Sequence, residues 1–260
     1  LSTAGQCAVA DKDPGLIGQL QKEGSETYSK AEEALEARIT ELQAKDDSGS
    51  DETLAALLPL RFNLPRMMYF HALLYPKDEF RRKDLLEKAI TGFQEFGLDY
   101  TGYIQNYEAL ILEGLCHKEL DDLKTAKDAF KEAFSFPSTY FEKNSKGYYE
   151  LSKEMADTVS EAGLQWMNVL MSEKDYAGAL AVAKEFLDTT PGPYETRRGL
   201  ALLAVKAEAL LALNDTRGAG EVADKLVEED PRGPWGAKGR EIQGRLLGGG
   251  PIDPSRAFAI

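Results

Sequence analysis

The feature that most constrains this chain is one spacing of side chains that occurs three times. In each occurrence small residues recur at helical intervals, a large apolar residue lies on the same face, and a proline follows. The three sets are Ala126, Phe130, Ala133 and Pro137, in which the proline comes one residue early; Ala179, Ala183, Phe186 and Pro191; and Ala219, Ala223, Leu226 and Pro231. Near-copies of one helical segment are typical of a solenoid, in which stacked helical hairpins share a continuous core.

The residues before each set extend the pattern to a helical pair. Gly114, Met167 and Ala207 lie twelve residues before Ala126, Ala179 and Ala219, so that two of the three pairs place a small residue opposite a small residue. The pattern resembles the tetratricopeptide repeat family, whose first helix carries Trp, Leu-Gly and Tyr and whose second carries Ala-x3-Phe and a closing Pro. Trp166 and Tyr176 fit this pattern.

The resemblance implies an all-α fold, a TPR-like α-solenoid of antiparallel helical hairpins. The alanines are 53 and 40 residues apart, whereas the family period is about 34, so we interpret the array as divergent, with extended helices. An unrelated α-helical bundle with alanine-rich seams is the alternative.

Four segments are predicted along the chain. They are an N-terminal segment over 1–15, N-terminal helices that cap the array over 16–65, divergent TPR-like repeats over 66–247, and a linker with the start of a truncated helix over 248–260. Ala8-Val9-Ala10 before Asp11 has the small-x-small form of a signal-peptidase site, so 1–15 is interpreted as the end of a signal peptide. This favours a periplasmic or secreted location over a cytoplasmic one.

Charge and hydropathy restrict the classes of partner. The formal net charge of -13 repels nucleic-acid phosphates and anionic lipid surfaces. No apolar run reaches the roughly 18 residues that a spanning helix needs, so we expect no nucleic-acid partner and no membrane insertion. An acidic solenoid instead suits a protein or peptide partner with a basic or apolar segment.

Residues 16–45 form a predicted long helix with an apolar stripe. Tyr28, Leu35 and Leu42 recur every seven residues, with Ala31 and Ile39 beside them. We favour the interpretation that this helix caps the array. The alternative is self-association through residues 16–45.

Residues with catalytic or metal-binding chemistry are few. Cys7 and Cys116 are too far apart in sequence for a zinc motif, and neither His71 nor His117 belongs to a helical zinc motif. No catalytic, metal-binding or cofactor-binding residue is predicted. The sequence favours a non-catalytic protein–protein interaction scaffold in a larger, exported bacterial assembly.

An enzyme is the alternative function. The chain would then be the helical domain of a longer enzyme whose catalytic part lies beyond residue 260, or itself an α-helical hydrolase or lyase. A deep pocket that collects carboxylates with His71 or His117 would favour this alternative.

Tyrosines supply the candidate partner-binding residues. Exposed tyrosines are favoured at interfaces because an apolar ring carries a polar tip, and we predict a groove lined by some of Tyr103, Tyr107, Tyr148 and Tyr149. Some members of the family hold a peptide carboxylate with Lys, Arg and Asn on inner helices. Asn168 alone stands at such a position, so this clamp is not expected.

The pattern also predicts local features that a structure can test. Lys146 to Glu173 reads as one long helix, Pro59 and Pro65 interrupt or bend the helical region around 54–75, and Gly97 ends the helix before it.

Overall fold

The computed structural model describes residues 14–45 and 50–248, with side chains described from residue 18 onward. This part of the chain contains ten α-helices and one 3-10 turn, and its only β-pairing is an isolated bridge between Lys143 and Tyr149. The helices are α1 (Pro14–Lys45), α2 (Asp51–Ala72), α3 (Phe80–Asp99), α4 (Ile104–Glu119), α5 (Leu123–Tyr140), α6 (Lys153–Ser172), α7 (Tyr176–Thr189), α8 (Gly199–Ala212), α9 (Thr216–Glu229) and α10 (Pro234–Leu246). Successive helices pack as antiparallel hairpins, so the predicted fold class, an all-α solenoid, is confirmed.

The chain divides into two compact units, Leu1–Ala126 and Lys127–Ile260. In the first unit α1 packs on α2, α2 on α3, and α3 on α4. Its core is built from side chains that are almost fully buried, among them Leu86, Phe93, Phe96 and Cys116. Each such large apolar side chain stabilises the fold by roughly 1.5 to 3 kcal/mol.

The second unit repeats the same arrangement. Helix α6 packs on α7, α7 on α8, α8 on α9, and α9 on α10. Leu203, Ala207, Ala219, Leu226 and Ile242 are buried in one apolar cluster. Small residues therefore lie in the core of this unit beside large ones, as interdigitating helices require.

The small residues of the recurring spacing are buried. Ala126, Ala179 and Ala219 are all 0% exposed, and so are Met167 and Ala207 in the preceding helices. Because a helix pair can approach closely only where a side chain is short, the alanine positions set the separation of neighbouring helices. Their burial agrees with the packing that the spacing predicts.

Three hairpin turns share one backbone geometry. In each, a residue with left-handed φ ends one helix, and the aspartate after it begins the next. The left-handed residues are Asp121, Lys174 and Asn214, with φ of 63°, 61° and 60°, and the aspartates are Asp122, Asp175 and Asp215.

The hydrogen bonds of the three turns also match. The aspartate N–H groups donate to the carbonyl five residues back at 2.9, 2.8 and 2.9 Å, which is the helix-ending bond of a Schellman motif. The aspartate side chains accept from the backbone N–H three residues on, at 3.2, 2.9 and 2.9 Å, as N-caps do. These turns are separated by the same 53 and 40 residues as the buried alanines, so spacing and backbone geometry repeat together.

Three local predictions were wrong. Helix α6 begins at Lys153 rather than at Lys146, because Ser152 caps it and Gly147 upstream has a φ of 85° that interrupts the helix. Helix α2 continues through both Pro59 and Pro65, so the predicted interruption was wrong, and a bend at these residues stays a prediction. Helix α3 continues past Gly97 and ends at Asp99.

Some predictions concern residues outside the described part of the chain. Residues 1–13 are outside it, and they include all but the last two residues of the predicted signal-peptide segment. Residues 249–260 are also outside it, and they include the predicted truncated helix. Among the helices of residues 14–45 and 50–248, none combines the length and the hydropathy that crossing a membrane requires.

Candidate functional site

The turn between α3 and α4 presents an aromatic ring to solvent. Tyr103 is the N-cap residue of α4 and is 52% exposed. Its ring meets the buried ring of Tyr100 edge-on at 6.0 Å, and Tyr100 stacks on Phe96 at 4.7 Å. Phe96 in turn contacts Phe62 of α2 at 5.5 Å. Tyr103 is therefore the exposed end of an aromatic chain that is anchored in the core of the first unit.

The neighbouring side chains give this turn a mixed surface. Leu98, in the last turn of α3, is 82% exposed, and Asp99 beside it forms an ion pair with Arg61 of α2. Burial raises the pKa of the Tyr100 hydroxyl, so this phenol remains neutral at physiological pH. The turn thus displays an aliphatic and an aromatic side chain next to a paired charge.

The other predicted partner-binding residues lie in different environments. Tyr107, one turn into α4, is only 9% exposed. Tyr148 and Tyr149 are half-buried in the segment before α6, and Asn168 is half-buried on α6. Lys143 lies over the Tyr149 ring at 5.1 Å. Tyr103 and Tyr107 belong to the first unit and the other three to the second, and a groove shared among the tyrosines stays a prediction.

A cluster of polar side chains joins α1 to α2 in the first unit. His71 of α2 is 1% exposed, and its Nδ1 lies 2.9 Å from Glu32 Oε1 on α1. Its Nε2 lies 3.0 Å from Ser25 Oγ on α1 and 3.2 Å from the Tyr75 hydroxyl. Ser25 Oγ also lies 2.5 Å from that hydroxyl. We call Ser25, Glu32, His71 and Tyr75 the α1–α2 polar cluster.

The Glu32 carboxylate limits where the protons of the cluster can lie. A carboxylate only accepts hydrogen bonds, so with Glu32 ionised, Nδ1 of His71 carries the proton that it donates. In neutral His71 the Nε2 atom is then an acceptor, and it can receive the Ser25 hydroxyl. Ser25 Oγ can in turn accept from the Tyr75 hydroxyl, which also lies within reach of Nε2. This arrangement gives each of the four side chains a partner, as a buried polar network requires.

The helix faces around the cluster hold the imidazole ring in place. The Tyr28 ring stacks on His71 at 5.5 Å with an interplanar angle of 13°. Gln21 donates to the Leu74 carbonyl at 3.0 Å. A Cβ added to Gly24 would meet the Leu74 side chain, just after the end of α2, at 3.1 Å. The side chains of the predicted apolar stripe are half-buried on α1, and Gln21, Ser25 and Glu32 add polar contacts beside them.

An open groove of about 710 Å³ runs along α1 beside the cluster. Ser25 and Tyr75 form part of its wall, whereas the His71 ring is covered by them. The groove also carries three acidic and three basic side chains. The lining residues are Gln21, Lys22, Ser25, Glu26, Ser29, Lys30, Glu33, Tyr75, Glu79 and Arg81.

His117 and Cys116 form no comparable group. His117 Nδ1 lies 3.3 Å from Asp122, and its Nε2 is buried without a hydrogen-bond partner in the described part of the chain. Cys116 is fully buried, and burial raises the pKa of its thiol. A thiol in this state is a weak nucleophile. Within residues 14–45 and 50–248 no group of three His, Cys, Asp or Glu side chains is placed to hold a metal ion.

The α1–α2 polar cluster could hardly be predicted from the sequence. Ser25 and Glu32 are seven residues apart, which places them on one face of α1. His71 lies in the last turn of α2, and Tyr75 follows just after that helix ends at Ala72. The spacing could have indicated one polar face on α1, but it could not indicate that His71 meets this face, because 46 residues separate Ser25 from His71.

Comparisons with known proteins add no family assignment. No protein-family model and no curated protein sequence matches this chain.

Proposed function

We propose that this protein is a protein-interaction scaffold built from divergent tetratricopeptide-like hairpins. The observation that carries the proposal is the threefold coincidence of a buried alanine and a Schellman turn capped by aspartate, at the same separations of 53 and 40 residues. Repeated hairpins of this kind present extended helix faces to partners, and stacking alone stabilises them. Binding, rather than catalysis, is the task that such faces serve.

Tyr103 is the anchor that we assign to this function. Binding hot spots are enriched in tyrosine, because a large ring buries much area at a low cost in conformational entropy. The packing of Tyr103 against Tyr100 further restricts the ring before any partner arrives. Because Tyr103 is 52% exposed, about half of its surface remains for a partner to cover.

The chemistry of the partner follows from the surface. The chain has a formal charge of -13, so a basic segment is attracted and an acidic one is repelled. The exposed Leu98 and Tyr103 offer apolar contact area at the α3–α4 turn. We therefore propose a partner segment that combines basic residues with an apolar or aromatic side chain.

A peptide-display library selected against the full chain tests this proposal. We expect enrichment of segments rich in Lys or Arg with an apolar residue, and saturable binding of the enriched peptide when it is synthesised. Tyr103→Ala should weaken that binding at least tenfold, because truncation of a hot-spot side chain costs about 2 kcal/mol or more.

Tyr140→Ala is the matched control. Tyr140 is 59% exposed and lies outside the predicted set. The control variant therefore makes the same change from Tyr to Ala at a tyrosine of similar exposure. Failure to enrich any peptide, or equal affinities for the wild type and Tyr103→Ala, would contradict the proposal.

A further inference from the structure

The α1–α2 polar cluster contains the three roles of a nucleophilic triad. A hydroxyl lies 3.0 Å from an imidazole nitrogen, and the other nitrogen of that ring lies 2.9 Å from a carboxylate. Both distances fall within the 2.6 to 3.2 Å expected of a nucleophile with its base and of a base with its orienting group. Such triads are recognised by geometry and roles, since they occur on unrelated folds in different chain orders.

We propose that Ser25 is an activated nucleophile that takes an acyl group from a small ester entering the groove along α1. His71 is the general base, and Glu32 is a positioning residue that holds the ring and stabilises its protonated form. This activity is independent of the scaffold function and goes beyond it.

The nucleophile of the cluster faces the groove, and the base behind it is buried. Ser25 and Tyr75 line the groove of about 710 Å³, which is large enough for a small ester. His71 lies behind them and is 1% exposed, so bulk water does not compete for its Nε2. Stacking against Tyr28 fixes the plane of the ring, and the interaction between Nδ1 and Glu32 fixes its tautomer.

Only side chains of the groove are available to stabilise the developing oxyanion. Ser25 lies inside α1, where the backbone N–H groups are engaged in helical hydrogen bonds. Lys22, one turn before Ser25, and Arg81 line the same groove. Since loss of one preorganised oxyanion donor costs about 10² to 10³ in rate, and none is supplied by the backbone here, we expect slow turnover with an acyl-serine that can be detected.

The reaction balances without a further reagent. Ser25 Oγ forms a bond to the ester carbonyl carbon while its proton passes to His71 Nε2. The bond from that carbon to the leaving oxygen then breaks, and the imidazolium returns the proton to the leaving group. Water later attacks the acyl-serine by the same route, which releases the acid and restores the hydroxyl.

The experiment treats the full chain with p-nitrophenyl acetate, follows p-nitrophenolate release, and maps acetyl groups on peptides. We expect a burst approaching one equivalent per chain and acetyl-serine at Ser25. Ser29 is the internal control, because it lines the same groove one turn further along α1. Acetylation of Ser29 to the same extent as Ser25, or of neither serine, would overturn the proposal.

Two variants separate base catalysis from simple exposure. His71→Gln should slow acetylation of Ser25 at least 100-fold, in line with the 10² to 10⁴ that a general base contributes. Glu32→Gln should slow it at least tenfold and move the midpoint of its pH–rate profile to lower pH, since the imidazolium has lost its carboxylate partner. A merely structural role of Glu32 would leave that midpoint in place.

Folding of the variants is checked by circular dichroism at the assay temperature. If His71→Gln unfolds, the wild-type peptide map and the Glu32→Gln profile still decide the question. Equal rates of Ser25 acetylation in the wild type and in a folded His71→Gln would refute general-base activation, and an unshifted Glu32→Gln profile would refute the role of Glu32.

Discussion

A close helix crossing in the second unit gives a sharp test of the packing. Gly239 of α10 is buried against α9, and a Cβ added to it would lie 2.6 Å from the Ala223 carbonyl oxygen. The same Cβ would lie 2.9 Å from Val227 and 3.1 Å from Leu226. The nearest contact is with backbone, so Gly239→Ala must separate the two helices rather than rotate one side chain.

Two opposing effects decide the size of the change. Alanine is more favourable than glycine inside a helix by about 1 kcal/mol. Overpacking of a close-packed interior costs roughly 1 to 3 kcal/mol. Because the crossing must open against the buried cluster around Leu226 and Ile242, we expect overpacking to win. Gly239→Ala should therefore lower the free energy of unfolding by up to about 2 kcal/mol.

Gly220→Ala is the matched control within the same hairpin. Gly220 lies inside α9, and the nearest atom to its added Cβ is Leu246 Cδ1 at 3.6 Å, an ordinary contact. This variant gains helix propensity without a clash, so it should raise the free energy of unfolding by up to about 1 kcal/mol. The two variants make an identical chemical change with opposite expected signs.

Urea unfolding followed by far-ultraviolet circular dichroism measures both variants. The fluorescence of Trp235, which lies on α10 one helical turn before Gly239, provides a second signal. If Gly239→Ala were as stable as Gly220→Ala, the close approach of α9 and α10 at this position would be refuted, whatever the sign of either change alone.

Three further predictions follow from burial. Ala179→Leu should destabilise the fold by about 1 to 3 kcal/mol in the same assay, because Ala179 is 0% exposed; an unchanged midpoint would mean that the site has free volume. Joint replacement of Glu228 and Glu229 by Ala should change stability by less than about 1 kcal/mol, since both pair with Lys225 near the surface; a larger loss would show that the pair is more than a surface contact. Cys116 should resist iodoacetamide at pH 8 in the folded protein and react when the chain is unfolded in urea, because burial raises the pKa of its thiol; peptide mapping of carboxamidomethyl groups checks this, and rapid modification of the folded form would contradict it.

The repeated helices could be predicted from the sequence because their signals are local. The spacing of Ala179, Ala183 and Phe186 lies within one helix, and it indicates the face that is buried. The aspartates at 122, 175 and 215 are also local signals, although their use as N-caps after a left-handed residue was seen only in the structure. Burial of Ala126, Ala179 and Ala219 agrees with the periodicity alone.

Helix ends were less predictable because competing local effects decide them. Pro59 and Pro65 lie inside α2, where the interior of the first unit supports a continuous helix: Pro65 is buried, and it packs against Gly92 of α3. The start of α6 depends on the Ser152 cap. Apolar periodicity does not indicate whether a helix continues through a proline or at which residue a helix begins.

The sequence by itself determined the helices and the small residues at their crossings, since both follow from the 3.6-residue period of one segment. Only the tertiary structure decided which polar groups meet. Ser25 and Glu32 are ordinary polar residues on α1 until α2 places the His71 ring between them at 3.0 and 2.9 Å. The physical reason is that contacts across 39 to 46 residues depend on how two helices pack, and no pattern within either helix specifies that.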